Sequence, residues 1–262
     1  MSENKPLALV TGASSGIGLE LARLFAADGY DLVLLARSRQ RLDRLAEELA
    51  GRHAVACRVM VKDLSEVSAP REVFSELSEA GLQLTALVNN AGFGDLEDFS
   101  RMSETRLLEM MQVNMAALTH LTWLFLPPML ERGSGRILNV ASTAAFLPGP
   151  GMAVYYASKA YVLSFSEALS KELEGSGVTL TCLCPGPVAS GFQATANMSG
   201  SRFLKFARLV DPAPVARAGY RAMCKGKAIE IPGIQNRIAA QLPRVASRAV
   251  LRSVVRYVQA KV

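Results

Sequence analysis

Thr11-Gly12-Ala13-Ser14-Ser15-Gly16-Ile17-Gly18 joins an apolar run over residues 5–11 to a stretch in which Leu19, Leu21, Ala22, Leu24, Phe25 and Ala26 recur at helical spacing. The order is strand, glycine turn, helix. Glycine lets the backbone approach a ligand closely because no Cβ stands in the way, and a helix N-terminus presents unpaired N–H groups with a partial positive charge. Gly12, Ser14, Ser15, Gly16, Ile17 and Gly18 are therefore candidates to hold a pyrophosphate. Their spacing departs from G-x-G-x-x-G, and a glycine turn by itself also serves tight packing of a helix on a strand. The next segment discriminates.

Asp31–Ala36 reads as a second buried strand, and Arg37 stands at its end. A carboxylate at that place, about twenty residues after the turn, would accept hydrogen bonds from the ribose 2'-hydroxyl of NAD, whereas a guanidinium suits the 2'-phosphate of NADP. The expected cofactor is NADP(H). Arg41, one helical turn further, either adds to the phosphate site or is a solvated side chain.

Outward from this unit, apolar runs near residues 6–11, 31–36, 54–60, 84–89, 135–141, 178–184 and 228–231 alternate with helical patterns. That alternation predicts an α/β fold: a doubly wound, Rossmann-like parallel sheet of about seven strands, covered by helices on both faces. With 262 residues, half of them hydrophobic, the chain can bury one substantial core. The expected organisation is a dinucleotide-binding and catalytic unit over residues 1–232, with residues 233–262 as a basic helical extension of the same domain.

Tyr155 and Lys159 stand four apart in Tyr155-Tyr156-Ala157-Ser158-Lys159, which places a phenol and an ammonium on one helix face. A phenol titrates near pH 10 in water and is a poor acid–base catalyst unless a neighbouring cation stabilises its anion, each tenfold gain in phenolate requiring about 1.4 kcal/mol. Lys159 is placed to be that cation, and Ser142 lies just upstream. Taken alone, a Tyr-x-x-x-Lys match is also what two unrelated residues on an ordinary helix would give.

Together these residues resemble the short-chain dehydrogenases and reductases, and the resemblance runs to about residue 232. It implies that Asp63 and Leu64 contact the adenine ring, and that Asn89-Asn90-Ala91-Gly92 borders the adenosine half and braces the sheet. It further implies that Asn114 holds a water linking the lysine to solvent, and that Pro185, Gly186 and Val188 lie where the nicotinamide sits. The activity it implies is NADPH-dependent reduction of a carbonyl. Tyr155 acts as general acid (general base in the reverse oxidation), Lys159 lowers its pKa and binds the nicotinamide ribose, Ser142 fixes the carbonyl oxygen and Asn114 relays the proton. Tyr156 is the rival phenol, but it points about a hundred degrees away from Tyr155 on a helix. The likeness also implies a homo-oligomer, dimer or tetramer, paired through the helices that carry Asn114 and Tyr155.

The charge is uneven. Residues 201–262 hold thirteen Lys or Arg and two acids, a net of +11, against −5 for the preceding two hundred. Arg244, Arg248, Arg252 and Arg256 recur every four residues beside Val245, Ala249, Val250, Val254 and Val258, which predicts a basic amphipathic helix starting after Pro243. Three readings compete for it: a solvated outer face of a docked helix, a weak anionic membrane surface contact, and a contact with an acidic substrate carrier. Nucleic acid is disfavoured because only Tyr257 is interleaved with the arginines.

No run of eighteen apolar residues spans a membrane, and residues 1–6 carry no basic segment before an apolar stretch. Cys57, Cys182, Cys184 and Cys224 lack metal-ligand spacing, so no metal and a reduced, cytoplasmic setting are expected. Phe93, Ala144, Phe146, Leu147, Met152, Phe192, Met198, Phe203 and Phe206 predict an apolar pocket for hydrophobic ketones, aldehydes or 3-oxoacyl groups, beneath a lid over residues 191–201. The other function classes are an NADP(H)-binding sensor or scaffold, and a lipid-surface protein with incidental catalysis.

Overall fold

The computed structural model describes residues 5–198, 201–203 and 209–260. Seven parallel strands form one sheet in the order β3-β2-β1-β4-β5-β6-β7. They are β1 (Leu7–Thr11), β2 (Asp31–Ala36), β3 (Cys57–Val61), β4 (Ala86–Asn89), β5 (Gly135–Val140), β6 (Val178–Leu183) and β7 (Ile229–Glu230). All seven predicted strands are present: β2 has the predicted bounds, five others are shorter, and β3 is shifted towards the C-terminus. The third starts later than expected because Ala54 takes a left-handed conformation (φ 51°) and ends the preceding helix.

Burial explains the strand sequences. Every residue of β1 and β4 is buried, as a central parallel strand covered on both faces requires, while edge strand β3 is mostly half-buried or exposed. On one face, α1 (Gly16–Ala27), α2 (Arg39–His53) and α8 (Pro212–Cys224) pack Phe25, Leu42 and Met223 against Val10, Leu34 and Val88. On the other, α3 (Ala69–Glu79) and α5 (Leu118–Glu131) pack Val73, Leu77 and Leu121 against Leu9, Leu35 and Leu87. Truncating one fully buried leucine such as Leu9 or Leu87 to alanine would cost about 2–5 kcal/mol.

Two features position the site. The chain winds outward from β1 in opposite directions, through β2 on one side and β4 on the other, so the strand ends diverge there and open a crevice at the C-terminal edge. The helical run α4 (Glu104–Met111) to α5 is continuous but widens to π-helical geometry over Gln112–Ala117, which carries Asn114.

The basic tail differs from the predicted single helix. It forms α9 (Ile234–Val245) and α10 (Arg248–Gln259), and Pro243 lies inside α9 rather than before a helix start. A proline there donates no N–H to the carbonyl four residues back and crowds it, which weakens the last turn and helps end the helix soon after. The break falls at extended Ala246, after which Ser247 Oγ caps α10 by accepting from the Val250 N–H. The stripe of Val245, Ala249, Val250 and Val254 is exposed; the face α10 buries is Leu251, Val255 and Gln259.

Candidate active site

The glycine turn lies at the crevice, and its conformation explains its composition. Gly12 (φ +66°) and Gly16 (φ +58°) occupy the left-handed region that strains other residues. A Cβ on Gly12 would sit 2.8 Å from Asn90 Nδ2, and one on Gly18 would overlap both Gly12 O and Asn90 Nδ2. Thr11 Oγ1 accepts from the N–H groups of Asn90 (2.9 Å) and Ala91 (3.0 Å) and donates to Val88 O, while Asn90 Nδ2 donates to Thr11 O at 2.9 Å. The turn is thus pinned to the end of β4. Ser15, the N-cap of α1, makes no side-chain capping bond, so the first-turn N–H groups stay available.

One cleft of about 470 Å³ starts at Gly12, Ser14, Ser15, Gly16 and Ile17. At its outer end stand Arg37, Ser38, Arg41, Lys62, Asp63 and Leu64. Arg37 is exposed, with Nη1 3.6 Å from Asp63 Oδ2. Burial would raise the Asp63 carboxyl, but hydrogen bonds from Ser65 N (2.9 Å) and Oγ (2.8 Å), together with Arg37, outweigh it and hold the group below its usual range. Lys62 is held by Glu72 and Glu76, so Arg37 and Arg41 are the cations here left to meet a phosphate. A close-approach backbone cradle with unpaired amides, followed by two guanidiniums, fits a dinucleotide that carries a ribose phosphate.

At the inner end the cleft meets Asn90, Ala91, Gly92, Ser142, Tyr155, Lys159, Pro185, Gly186 and Val188. Tyr155 and Lys159 share one side of α6 (Ala153–Glu172), with Lys159 Nζ 5.9 Å from the Tyr155 ring centre and donating to Val140 O at 2.9 Å. Asn114 is buried; its Nδ2 donates to Phe93 O (2.9 Å) and Ser158 Oγ (3.0 Å), and its Oδ1 accepts from Phe93 N (3.0 Å). Gly92 leaves the room this needs, since a Cβ there would lie 3.1 Å from Asn114 Oδ1 and 3.2 Å from Lys159 Nζ. Ser142 follows β5 on its loop side, where its Oγ accepts from Ala144 N at 3.1 Å.

The electrostatics differ from the sequence expectation. Burial pushes the Tyr155 phenol up to about 12, opposed by the Ser142 hydroxyl. Burial also pushes Lys159 down to about 8. Desolvation of the two groups, rather than attraction between them, sets both values in the free chain.

Around Tyr155 the surface is apolar. Leu96, Met152, Ala196 and Met198 cluster with Tyr155, Tyr156, Phe192 and Phe203, and the Phe192 ring centre is 5.2 Å from that of Tyr155. Gly94 permits the approach: a Cβ there would meet Met152 and Phe192 at 2.9 Å. Of the predicted pocket residues, Phe93, Ala144, Met152, Phe192, Met198 and Phe203 line the cleft. Phe146 and Leu147 instead line a separate cavity with Pro243, Leu251 and Arg252, at the end of the 3₁₀ turn Thr143–Phe146 and the extended residue after it. Phe206 and residues 199–200 lie outside the described residues. In the predicted lid, Phe192–Thr195 forms the short helix α7.

Sequence reasoning missed four contributors. Gln259, the last residue of α10, is buried, lines the cleft and donates from Nε2 to the Tyr156 hydroxyl at 2.8 Å. Its signal was a lone polar residue closing the four-spaced row Leu251, Val255, Gln259. Arg106 and Asp95 fasten α7: Arg106 Nη2 donates to Thr195 O at 2.7 Å, and Asp95 Oδ1 accepts from Asn197 Nδ2 at 2.7 Å. Asn236 of α9 packs against Gly186, where a Cβ would come within 2.5 Å of its Oδ1. No local pattern marked Arg106, Asp95 or Asn236.

A family model described as short chain dehydrogenase matches residues 6–199. Sulfoacetaldehyde reductase 2 of Chromohalobacter salexigens is 38% identical over 196 residues, covering 71% of this chain and 74% of that protein. Ketoacyl reductase HetN of Nostoc sp. is 34% identical over 240 residues, covering 90% of this chain and 81% of that one. A short-chain dehydrogenase from Sphingobium yanoikuyae, solved in complex with NADPH, superposes with a TM-score of 0.80 at 31% identity, over 87% of this chain and 88% of that one.

Proposed function

The chain belongs to the short-chain dehydrogenases, a family of oxidoreductases, and on that premise we propose that it is an NADPH-dependent reductase of hydrophobic carbonyl compounds. The observation that carries this reading is one cleft with a glycine cradle and Arg37 at one end and Ser142, Tyr155 and Lys159 amid apolar side chains at the other.

The cofactor is NADP(H). Gly12, Ser14, Ser15, Gly16 and Ile17 hold its pyrophosphate, with Gly18 packing the turn against Gly12 and Asn90; Arg37 and Arg41 meet the 2'-phosphate; Asp63 and Leu64 border the adenosine half, Asn90 and Ala91 continue inward from it, and Gly92 lies beside Asn114 and Lys159; and Pro185, Gly186 and Val188 flank the nicotinamide. When bound, NADPH supplies the hydride equivalent for the carbonyl carbon. Tyr155 gives its proton to the carbonyl oxygen, which a phenol raised to about 12 retains throughout the neutral range. Ser142 orients that oxygen, and the Lys159 cation stabilises the phenolate left behind. Asn114 holds Phe93 and Ser158 in place around the lysine. The ring of Phe192 and the thioethers of Met152 and Met198 favour ketones, aldehydes or 3-oxoacyl groups with apolar bodies over sugars.

Residues 1–232 form the catalytic unit and 233–262 an extension that completes its cleft through Gln259. Exposed Leu108, Met111, Trp123 and Tyr161 on α4, α5 and α6 support a homo-oligomer paired through those helices, and four free cysteines support a reduced compartment. No described helix is long and apolar enough to cross a membrane.

Turnover is the test. NADPH oxidation with a panel of apolar ketones should occur with the native chain and fall by about 10²–10⁴ in Tyr155→Phe, with NADPH binding retained. Retained binding without turnover of any carbonyl by either protein would favour an NADP(H) sensor instead.

A further inference from the structure

α9 and α10 carry a feature the redox cleft does not use. α9 turns Ala240 inward and Ile234, Ile238, Leu242 and Val245 outward, at spacings of four, four and three; these four side chains are 44–84% exposed. α10 buries Leu251, Val255 and Gln259, and its exposed arc has Val250, Val254 and Tyr257 on one flank and Arg248, Arg252 and Arg256 on the other. Single exposed apolar residues are ordinary, but seven on two consecutive helices leave more apolar area in water than scattered side chains do.

Charge selects the occupant. Residues 233–260 contain five arginines and no aspartate or glutamate. Arg237 pairs with Glu230 at 3.1 Å. Arg244, Arg248, Arg252 and Arg256 form no ion pair among the described residues. A second copy of this face would set four arginines against four with no acid between them. Nucleic acid would satisfy the arginines and leave isoleucines and valines in water, and a neutral membrane would do the reverse. An anionic bilayer accepts both: short apolar side chains enter the headgroup boundary, while arginine stems lie along the surface and deliver guanidiniums to the phosphates. We infer that α9 and α10 dock the protein on anionic lipid membranes.

The test is co-sedimentation of the intact, NADP⁺-loaded chain with phosphatidylcholine vesicles prepared with and without phosphatidylglycerol. Binding should require the anionic lipid and weaken with added salt. Arg252→Gln/Arg256→Gln should weaken it roughly 25-fold, at about fivefold per arginine. Ile238→Asp/Val245→Asp should weaken it at least about tenfold. Both variants alter exposed side chains and should keep the native melting temperature, which separates lost docking from lost folding. The inference is overturned if neutral vesicles bind equally, if no vesicle binds, or if Ile238→Asp/Val245→Asp lowers the molecular mass in solution while leaving sedimentation unchanged, since the face would then join copies of the chain.

Discussion

Gln259 Nε2 donates to the Tyr156 hydroxyl at 2.8 Å, which ties the last turn of the C-terminal helix to the residue beside Tyr155. The Gln259 Oε1 is buried and has no hydrogen-bond partner among the described residues, and the side chain lines the cleft. The tail is therefore part of the cleft wall beside Tyr155 and Tyr156. Replacing Gln259 with alanine removes one neutral hydrogen bond, worth about 1 kcal/mol, and opens the apolar end. KM for a bulky ketone should change about fivefold with NADPH affinity unaltered, as steady-state kinetics and a fluorescence titration would show.

Lys159 supplies a pH test. Its folded pKa, about 8, lies below the ordinary lysine value of 10.5. Between those values the unfolded chain binds more protons than the folded one, so this residue's contribution to stability rises with pH across that window and is least favourable below 8. In denaturant titrations, the advantage of Lys159→Met over the native chain at pH 7 should shrink by up to about 3 kcal/mol by about pH 10.5. Carbonyl reduction should fall as pH rises through about 8, where the cation is lost.

Arg37 is exposed and 3.6 Å from Asp63, so a phosphate can take it without breaking a tight ion pair. Arg37→Asp should weaken NADPH binding roughly tenfold to a hundredfold and leave NADH binding much less affected, read by cofactor fluorescence. Equal losses for both cofactors would place the guanidinium elsewhere than at the 2'-phosphate.

Arg106 spans two elements, donating to Thr195 O at 2.7 Å and covering the Phe93 ring at 4.1 Å. Asp95 completes the latch by accepting from Asn197, which sits at φ 51°. Arg106→Met should loosen α7, raising KM for the carbonyl several-fold and hastening proteolysis near residues 191–198. Unchanged cleavage would show that α7 is held by its apolar contacts alone.

The legible parts were those written in local chemistry. Strand positions followed from apolar runs, because central parallel strands bury both faces. The cradle followed from Gly12, Gly16 and Gly18, which stand where positive φ or a backbone wall excludes a Cβ. The tail shows the limit: arginines every four residues gave the helical period correctly, yet the face buried by α10 was not the valine stripe. Periodicity fixes which residues share a face, but packing against Tyr156 and Gly151 decides which face turns inward.

What the chain's order of residues determined by itself was the alternating α/β architecture, the glycine turn after β1, the arginine after β2 and the four-residue step from Tyr155 to Lys159. Each depends on interactions within a few residues. Tertiary structure alone decided that Gln259 would reach the cleft across 103 positions, that Arg106 and Asp95 would fasten α7, and that burial would set the pKa values of Tyr155 and Lys159. Those outcomes depend on which surfaces exclude water when distant segments meet, and no local pattern records that.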